Sequence, residues 1–365
     1  MNLFSQYKLG NIVLNNRLVM APMTRSRAID NIPNDLMVEY YRLRAAAGLI
    51  ITEGVAPSAN GLGYPRIPGI YSQAQIEGWK KVTDAVHAEG GKIFIQLMHT
   101  GRVSHPDNMG PNTRVLAPSA IGMSGGMWTD TKGKQAFPEP LEMTLRDIEQ
   151  AQEEHVEGAK NAMEAGFDGV ELHGANGYLM DQFINTASNK RQDEYGGSSE
   201  NRCRFILEVA NKVSQAIGAQ HTGIRLSPYG VYNDMEIFEG IEDTYEYLAG
   251  ELGKLQLLYI HIVDFSSQGA PEVTESVKSR IRNSFARVTI ASGGLDREKA
   301  EHILSGNRGN LVAFGQAFLA NPDLVYRFEN NIPLNNPDYA TFYTPGEKGY
   351  LDYPMASNSM GIKPY

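Results

Sequence analysis

The sequence predicts a (β/α)8 TIM barrel, an α/β fold, and three observations lead to this prediction. Short apolar runs alternate with longer segments of helical period, as expected for βα units and a parallel sheet. Eight such units can be counted in the 365 residues. Most of the runs are apolar on both faces, which is typical of parallel strands buried beneath helices. One barrel with insertions accounts for residues 1–365 as a single domain.

Each predicted strand is followed by a segment that places its apolar residues on one helical face. The strands are predicted at residues 17–22, 49–56, 92–101, 169–175, 222–228, 259–265, 288–294 and 310–318. The helices are predicted at residues 34–48, 72–91, 144–166, 198–218, 241–255, 273–285, 296–305 and 322–330. Thr144 and Ser198 are suited to cap two of these helices at the N-terminus, and several helices end at a glycine suited to a C-cap.

Two segments lie outside the repeat. Residues 102–140 are rich in Gly, Pro, Ser and Met, which favours an ordered excursion after the third strand, in a position to cover the active site. Residues 334–365 contain six Tyr or Phe residues among turn residues, so we expect this tail to pack against the barrel rather than to be free. The six are Tyr339, Phe342, Tyr343, Tyr350, Tyr353 and Tyr365.

Composition narrows the class of partner. The 33 Lys and Arg residues against 42 Asp and Glu residues give a formal net charge of −9, without the basic stripe of a nucleic-acid binder or a binder of anionic membranes. The N-terminal segment lacks the pattern of a signal peptide, and no apolar run is long enough to span a membrane. We therefore expect a cytoplasmic protein that acts on a small molecule, with no nucleic-acid or membrane partner.

The residues that follow the fourth predicted strand suggest carbonyl chemistry. His173 and Asn176 are three residues apart in one turn, where both can direct hydrogen-bond donors at one oxygen and stabilise developing negative charge. Tyr178 follows, and its phenol can donate a proton to a carbanion or enolate. Alternatively, His173 caps the strand and Tyr178 is a packing tyrosine, although their shared position at a strand end favours the catalytic interpretation.

Other strand ends indicate a bound heterocycle and phosphate. Gln96 and Arg225 are polar residues inside apolar runs and need buried partners. A cofactor ring would supply these partners, and for Arg225 the alternative is an ion pair with a carboxylate such as Glu171 or Asp264. Glycines after the seventh and eighth strands would let backbone N–H groups and helix N-termini approach a phosphate, or else they form tight turns. They are Gly293, Gly294 and Gly315.

Several chemistries lack their residues in this sequence. No lysine ends a predicted strand, which disfavours a Schiff base, and His99, His105, His261 and Asp264 are too scattered to predict a metal site. The single cysteine, Cys203, allows no intramolecular disulfide and no iron–sulfur cluster. No GxGxxG follows a first strand, so a nicotinamide cofactor would not be held in a Rossmann domain.

These motifs together resemble the Old Yellow Enzyme family of flavin-dependent ene-reductases, especially the bacterial alkene and N-ethylmaleimide reductases. The resemblance spans nearly the whole chain. It rests on Leu-Asn-Asn-Arg at 14–17, Ala-Pro-Met-Thr-Arg at 21–25, Gln-Leu-Met-His-Thr-Gly-Arg at 96–102, Gly169 to Tyr178, residues 193–198 with 200–202, Arg-Leu-Ser-Pro at 225–228, Asn-Pro-Asp-Leu at 321–324, and residues 349–354.

The resemblance implies that the chain binds FMN non-covalently, that NAD(P)H reduces the FMN, and that hydride then passes from flavin N5 to the β-carbon of an activated alkene. His173 and Asn176 would hold the carbonyl or nitro oxygen of the substrate, and Tyr178 would protonate the α-carbon. The cofactor residues would be Pro22, Met23, Thr24 (at flavin O4), Gln96 (at the pyrimidine edge), Arg225 (near N1 of reduced flavin), and, around the phosphate, Gly293, Gly294, Gly315 and Gln316.

Two residues depart from the commonest pattern of the family. Gln316 stands where many relatives have an arginine, so FMN binding would depend more on backbone donors. Met98 stands where close relatives often have a tryptophan, so we expect a roomier or more adaptable pocket. The other expected pocket walls are Tyr64, Phe265 and Tyr343.

Two alternatives to an ene-reductase remain at this stage. One is a flavin-free barrel lyase that acts on a phosphorylated substrate. The other is a protein that stores flavin without turnover. The physiological alkene, the choice of NADPH or NADH and the oligomeric state, monomer or homodimer, do not follow from the residues.

Overall fold

The chain folds around a closed barrel of eight parallel strands, preceded by a short antiparallel hairpin. The structure is a computed structural model and describes residues 1–356. Numbered in chain order, the hairpin pairs β1 (Tyr7–Leu9) with β2 (Ile12–Leu14). The barrel strands are β3 (Leu18–Met20), β4 (Leu49–Val55), β5 (Ile93–Leu97), β10 (Gly169–Gly174), β11 (Thr222–Leu226), β12 (Tyr259–Val263), β13 (Val288–Ser292) and β14 (Leu311–Phe314).

Helices connect the barrel strands, so the predicted (β/α)8 architecture is confirmed. The eight predicted helices are α1 (Asp35–Arg42), α2 (Gln73–Ala88), α3 (Leu145–Glu164), α5 (Ser199–Ile217), α6 (Ile241–Lys254), α7 (Glu275–Phe285), α8 (Arg297–Ser305) and α10 (Leu324–Asn330). Two short helices follow strand ends directly, α4 (Leu179–Ile184) and α9 (Gln316–Ala320).

The expected helix caps are present. The Thr144 hydroxyl accepts a hydrogen bond from the Asp147 N–H, and the Asp147 carboxylate accepts one from the Thr144 N–H in return. The Ser198 hydroxyl accepts from the Asn201 N–H at the start of α5. These contacts satisfy N–H groups that have no partner inside the helix, and they fix where two of the outer helices begin.

Three predicted boundaries are wrong by four residues or more. The third strand, predicted to extend to residue 101, ends at Leu97. The apolar run at residues 310–318 is not one strand, because β14 ends at Phe314 and residues 316–320 form α9. A mostly apolar run shows neither the two-residue period of a strand nor the 3.6-residue period of a helix. Its composition therefore cannot distinguish a buried strand from a buried helix. The first helix ends at Arg42 rather than extending to residue 48. The N-terminal hairpin has strands of only three residues and gave no clear signal.

The hairpin closes one end of the barrel and leaves the other end for the site. Leu9 and Leu14 are fully buried and belong to the same apolar cluster as Val19, Phe94 and Ile290, which come from three barrel strands. The strands enter the barrel at this end. The C-terminal ends of the strands therefore lie at the opposite end, where active sites of this fold are found.

The excursion after the third strand is ordered. It contains an antiparallel hairpin of β7 (Gly126–Thr129) and β8 (Gly133–Ala136), and β6 (Leu116–Ala117) pairs in parallel with β9 (Leu141–Glu142). Met127 and Trp128 on β7 line the cavity described below. The hairpin thus forms part of the wall at the mouth of the barrel.

The C-terminal tail packs against the barrel through part of its aromatic set. Tyr350 is fully buried and stacks on Tyr40 of α1 with ring centroids 4.1 Å apart. The guanidinium groups of Arg25 and Arg27 both donate to the Phe342 carbonyl. Tyr339 and Tyr343 stay more than 60% exposed. The prediction is therefore confirmed for the tail up to residue 356, and Tyr365 lies outside the described residues.

Within residues 1–356, no helix is long and apolar enough to cross a membrane. The same residues contain no group of three or more His, Cys, Asp or Glu side chains placed to hold a metal ion. Cys203 is free and buried in α5.

Candidate active site

A cavity of about 1600 Å³ opens at the C-terminal ends of the barrel strands. All sixteen site residues named from the sequence line it, although they come from all parts of the chain. They are Pro22, Met23, Thr24, Tyr64, Gln96, Met98, His173, Asn176, Tyr178, Arg225, Phe265, Gly293, Gly294, Gly315, Gln316 and Tyr343. The barrel brings them together because each follows or ends a strand, or belongs to a loop above one.

The end of β10 and the turn after it hold the three residues expected to act on substrate, with His173 on the strand and Asn176 and Tyr178 beyond it. Asn176 has a left-handed backbone, with φ of 63°, which an asparagine tolerates better than most residues. Its N–H donates to the Ser227 hydroxyl at 2.8 Å, and its carbonyl accepts from the Asn233 amide at 2.7 Å. The Asp181 carboxylate accepts from the Gly177 N–H. These three contacts fix the turn and leave the Asn176 side chain facing the cavity.

His173 and Tyr178 pack edge to face, with ring centroids 4.9 Å apart. Burial, with smaller contributions from Arg225 and His261, holds the pKa of His173 well below its usual value of 6.5. The imidazole is therefore neutral at physiological pH. Its Nδ1 and the Asn176 Oδ1 are buried and have no hydrogen-bond partner among the described residues. Unpartnered buried polar atoms of this kind are suited to a polar ligand.

Tyr178 is held as a protonated phenol. Burial raises the pKa of its hydroxyl to about 12. The hydroxyl lies 3.0 Å from that of Tyr64, whose pKa burial also raises. In a pair of neutral phenols either hydroxyl can donate the hydrogen bond. Tyr178 can therefore accept a hydrogen bond from Tyr64 while its own O–H points into the cavity.

Gln96 and Arg225 lie deep in the cavity, at the ends of β5 and β11. The Gln96 amide nitrogen donates to the Glu171 carboxylate at 2.8 Å. The Arg225 Nε atom is buried without a hydrogen-bond partner in the described part of the chain. Within residues 1–356, no salt bridge joins Arg225 to either carboxylate of the ion-pair alternative. Glu171 is hydrogen-bonded to Gln96 and His261, and Asp264 pairs with Lys278. A buried guanidinium in this state needs an acceptor from a ligand.

The loops after β13 and β14 come close to the rest of the barrel mouth because they contain glycine. Gly293 has φ of 120°, and a Cβ there would lie 1.8 Å from the Asp264 carbonyl oxygen. Gly294 has φ of 59°. The expected help from helix N-termini is limited, because Asp296 already caps α8 and α9 has only five residues. An anion at these loops would depend mainly on backbone N–H groups.

The Gln316 side chain does not supply a positive charge at these loops. Its Oε1 atom accepts a hydrogen bond from the Tyr339 hydroxyl at 3.1 Å. Among the cavity-lining residues that the structure describes, the basic side chains are Arg66 and Arg225. Arg66 is paired with Asp130 and donates to the Ser26 and Tyr343 carbonyls, so it is already engaged.

Met98 is turned toward the neighbouring strand. It is only 1% exposed, and a Cβ on Gly54 would lie 2.5 Å from its sulfur. The thioether therefore occupies the space that the missing side chain of Gly54 leaves. A tryptophan would not fit this space unchanged, so Met98 and Gly54 form a matched pair in the wall.

Sequence reasoning missed part of the wall. The missed residues lie on loops whose composition carries no strong signal: Ile29, Trp128, Phe137, Asn233, Gln268, Tyr339 and Phe342. Only the aromatic content of the tail and the position of the excursion pointed to some of them. Trp128 and Ile29 are more than half exposed, so they form the outer rim rather than the floor.

Comparisons with known proteins agree with this geometry. Residues 2–335 match the profile of the family described as NADH:flavin oxidoreductase / NADH oxidase. A probable flavin mononucleotide-dependent alkene reductase from Leishmania infantum is 41% identical over 354 residues, which is 95% of each chain. A putative 12-oxophytodienoate reductase 3 from Oryza sativa subsp. japonica is 42% identical over 360 residues, covering 97% of this chain and 92% of the relative.

Solved structures are similar over the whole chain. Morphinone reductase in complex with tetrahydroNAD has a TM-score of 0.93 at 40% identity and covers 99% of both chains. The old yellow enzyme homologue from Zymomonas mobilis has a TM-score of 0.92 at 36% identity, covering 98% of this chain and 100% of the other.

Proposed function

The chain belongs to the NADH:flavin oxidoreductase / NADH oxidase family, in which it is an FMN-dependent NAD(P)H ene-reductase, and we propose how its own residues carry out that activity. The observation that carries the proposal is the end of β10 together with the turn that follows it. There a neutral His173, Asn176 and a protonated Tyr178 line one cavity with unpartnered polar atoms. The substrates are alkenes activated by a carbonyl, imide or nitro group.

The residues present fit FMN. The buried Arg225 Nε atom lacks a partner among the described residues, and the cavity is larger than a flavin alone requires. The loop of Gly293 and Gly294 packs closely against Asp264 and Ser267, which only glycine permits, and this loop lines the cavity. We infer that Thr24, Gln96 and Arg225 would contact the ring system, beside the backbone of Pro22 and Met23. The loops of Gly293, Gly294, Gly315 and Gln316 would hold the phosphate.

When bound, FMN accepts hydride from NAD(P)H and delivers it to the β-carbon of the alkene. His173 and Asn176 donate hydrogen bonds to the activating oxygen of the substrate and so withdraw electrons from the double bond. Tyr178 donates its phenolic proton to the α-carbon, and the Tyr64 hydroxyl beside it hydrogen-bonds to the phenolate that results. Tyr64, Met98, Phe265 and Tyr343 provide apolar surface around the substrate.

An absorbance spectrum of the purified protein tests the proposal directly. The expected result is a yellow protein whose flavin absorbance is bleached by NADPH without oxygen and returns on addition of 2-cyclohexenone. A protein that stays colourless after incubation with excess FMN would contradict it. A yellow protein that 2-cyclohexenone reoxidises no faster than air does would instead be a storage protein.

We further propose that the chain acts as one domain, as a monomer or homodimer, in the cytoplasm. The single barrel and the lone, buried Cys203 support this proposal. Analytical ultracentrifugation of the holoprotein distinguishes the two oligomeric states, and a larger assembly would contradict both.

A further inference from the structure

Glu171 is the centre of a hydrogen-bond network inside the barrel, below the cavity. Its Oε1 atom accepts from the Gln96 amide at 2.8 Å. Its Oε2 atom accepts from the Tyr259 hydroxyl at 3.1 Å and lies 3.0 Å from His261 Nδ1. Burial lowers the pKa of His261, so the ring is neutral, with its Nδ1 proton directed at the carboxylate. The Glu171 carboxyl group therefore has three hydrogen-bond donors, and no cation from residues 1–356 is bonded to it.

The strand register builds this network at one level of the barrel. Gln96 of β5 lies opposite Glu171 of β10, and Glu171 lies opposite Gly223 of β11. Gly223 in turn lies opposite Tyr259 of β12. A Cβ on Gly223 would be 2.3 Å from the Tyr259 ring, so only glycine there lets the phenol reach across to Glu171. The network is thus specified by four residues on four neighbouring strands.

Glu171 determines how Gln96 faces the cavity. A carboxylate only accepts hydrogen bonds, so the amide nitrogen of Gln96, and not its oxygen, must point at Glu171. The second N–H and the carbonyl oxygen of Gln96 then remain for a ligand. The pyrimidine edge of a flavin presents an N–H beside carbonyl oxygens and matches this pair. A Gln96 amide turned the other way would set its oxygen against the Glu171 carboxylate, acceptor against acceptor.

The network also places a fixed negative charge near the positive charge of Arg225. Glu171 is fully buried and acts electrostatically on Arg225, which is also deep in the barrel and lines the cavity. Charges in such an environment are poorly screened by solvent and act over several ångströms. Reduction of a flavin adds negative charge to its ring system. Arg225 would favour the reduced form of a bound flavin, and Glu171 would oppose that effect.

We propose that Glu171 is a positioning residue for the cofactor, which fixes the Gln96 amide and lowers the reduction potential of the bound flavin by offsetting Arg225. This inference rests on the proposed function and extends it to a residue that does not contact the substrate.

The substitution Glu171→Gln tests the charge with little change in shape. We expect the equilibrium between oxidised and two-electron-reduced flavin to shift at least tenfold toward the reduced form, which corresponds to a rise of about 30 mV. Titration of the holoprotein against a reference dye measures this shift. A glutamine can donate as well as accept, so the Gln96 amide loses its fixed orientation. FMN should then dissociate more readily, as measured by recovery of flavin fluorescence.

The substitution Tyr259→Phe is the matched control. It removes one donor to Glu171 and keeps the charge, so the carboxylate is less compensated and the potential should fall. General damage to the site would shift the flavin reduction potential in the same direction in both variants. A wild-type potential in Glu171→Gln, or shifts of equal sign in the two variants, would overturn the inference.

The outcomes separate this inference from the proposed function. If Glu171→Gln fails to fold or to hold FMN, the Tyr259→Phe variant tests the inference by itself. An unchanged or raised flavin reduction potential in Tyr259→Phe contradicts the inference. A wild-type protein that takes up no FMN contradicts the proposed function itself. A yellow wild-type protein with an unchanged Glu171→Gln variant contradicts only the role of Glu171.

Discussion

The hydroxyl oxygens of Tyr64 and Tyr178 lie 3.0 Å apart, and their rings meet at an interplanar angle of 85° in the cavity wall. Tyr64 comes from the loop after β4, and Tyr178 comes from the turn after β10. The contact joins the proposed proton donor to a second phenol, and both side chains are partly buried. This relationship supports two predictions about proton delivery.

Tyr178→Phe should leave reduction of the flavin by NADPH intact and slow alkene reduction by about a hundredfold or more, the usual contribution of a general acid. The phenyl ring keeps the packing against His173 and removes only the hydroxyl. Stopped-flow measurement of each half-reaction checks this. Tyr247→Phe, on the outer helix α6, is the control and should change neither rate. An unchanged rate of alkene reduction in Tyr178→Phe would mean that the proton comes from elsewhere.

Tyr64→Phe should slow the alkene step by a smaller factor, roughly tenfold, which corresponds to one lost hydrogen bond.

Because the pKa of Tyr178 is about 12, its phenol stays protonated below that pH and loses its proton only above it. The alkene step of the wild-type protein should therefore not decline on the alkaline side up to about pH 10. A decline with a midpoint near pH 8 would assign the proton to another group.

His173→Ala should weaken binding of phenols and enones about tenfold or more through the lost hydrogen bond. Since the pKa of His173 lies well below 6.5, the neutral imidazole persists as the pH falls, and wild-type affinity should be constant through the mildly acidic range. Titration of the flavin absorbance with a phenol measures both effects. His302→Ala, an exposed histidine of α8, should have no effect. Affinity that changes with a midpoint near pH 6.5 would show that the ring protonates normally.

Gln316→Arg should strengthen FMN binding about tenfold or more, because hydrogen bonds to charged groups are worth roughly 1.5–3 kcal/mol. The substitution places a cation at the loops after β13 and β14. The cavity-lining residues of these loops that the structure describes include no basic side chain. Fluorescence titration of the apoprotein measures the affinity. Riboflavin lacks the phosphate and provides the control, and an equal gain for riboflavin would place the effect away from the phosphate.

Acid should destabilise the fold through His99 and His155, whose rings stack 6.4 Å apart in the interior. Burial lowers the pKa of His99 to about 3 and that of His155 to about 4. The unfolded chain binds protons below about pH 6.5, before the folded chain does, so stability is full above that pH and falls below it. At about pH 5 each of these two histidines should lower the free energy of unfolding by roughly 2 kcal/mol.

Urea unfolding at neutral pH and at about pH 5 measures this loss. His155→Gln should be less sensitive to acid by about 2 kcal/mol, whatever its stability at neutral pH. His302→Gln, at the surface, should retain the full sensitivity. Equal losses in all three proteins would place the acid effect on other groups.

Particular residues show how far sequence reasoning reached. The strand ends predicted from apolar runs placed His173, Gln96 and Arg225 on one side of one barrel, because parallel strands all point the same way. The prediction of a strand to residue 318 failed, because apolar residues continue on both sides of Gly315, although Gly315 itself was placed after the strand. The partners of Arg225 were left open, since three-dimensional distance decides between Glu171, Asp264 and a ligand.

The sequence by itself determined the barrel, the end of the barrel that carries the site and the residue types available there. These follow from hydrophobic period and chain direction, which are local properties. Only the tertiary structure decided that Tyr64 contacts Tyr178, that Met98 fills the space beside Gly54 and that Glu171 orients Gln96. Such contacts join residues far apart in the chain, and they depend on strand register and on space left by glycine, which no local pattern specifies.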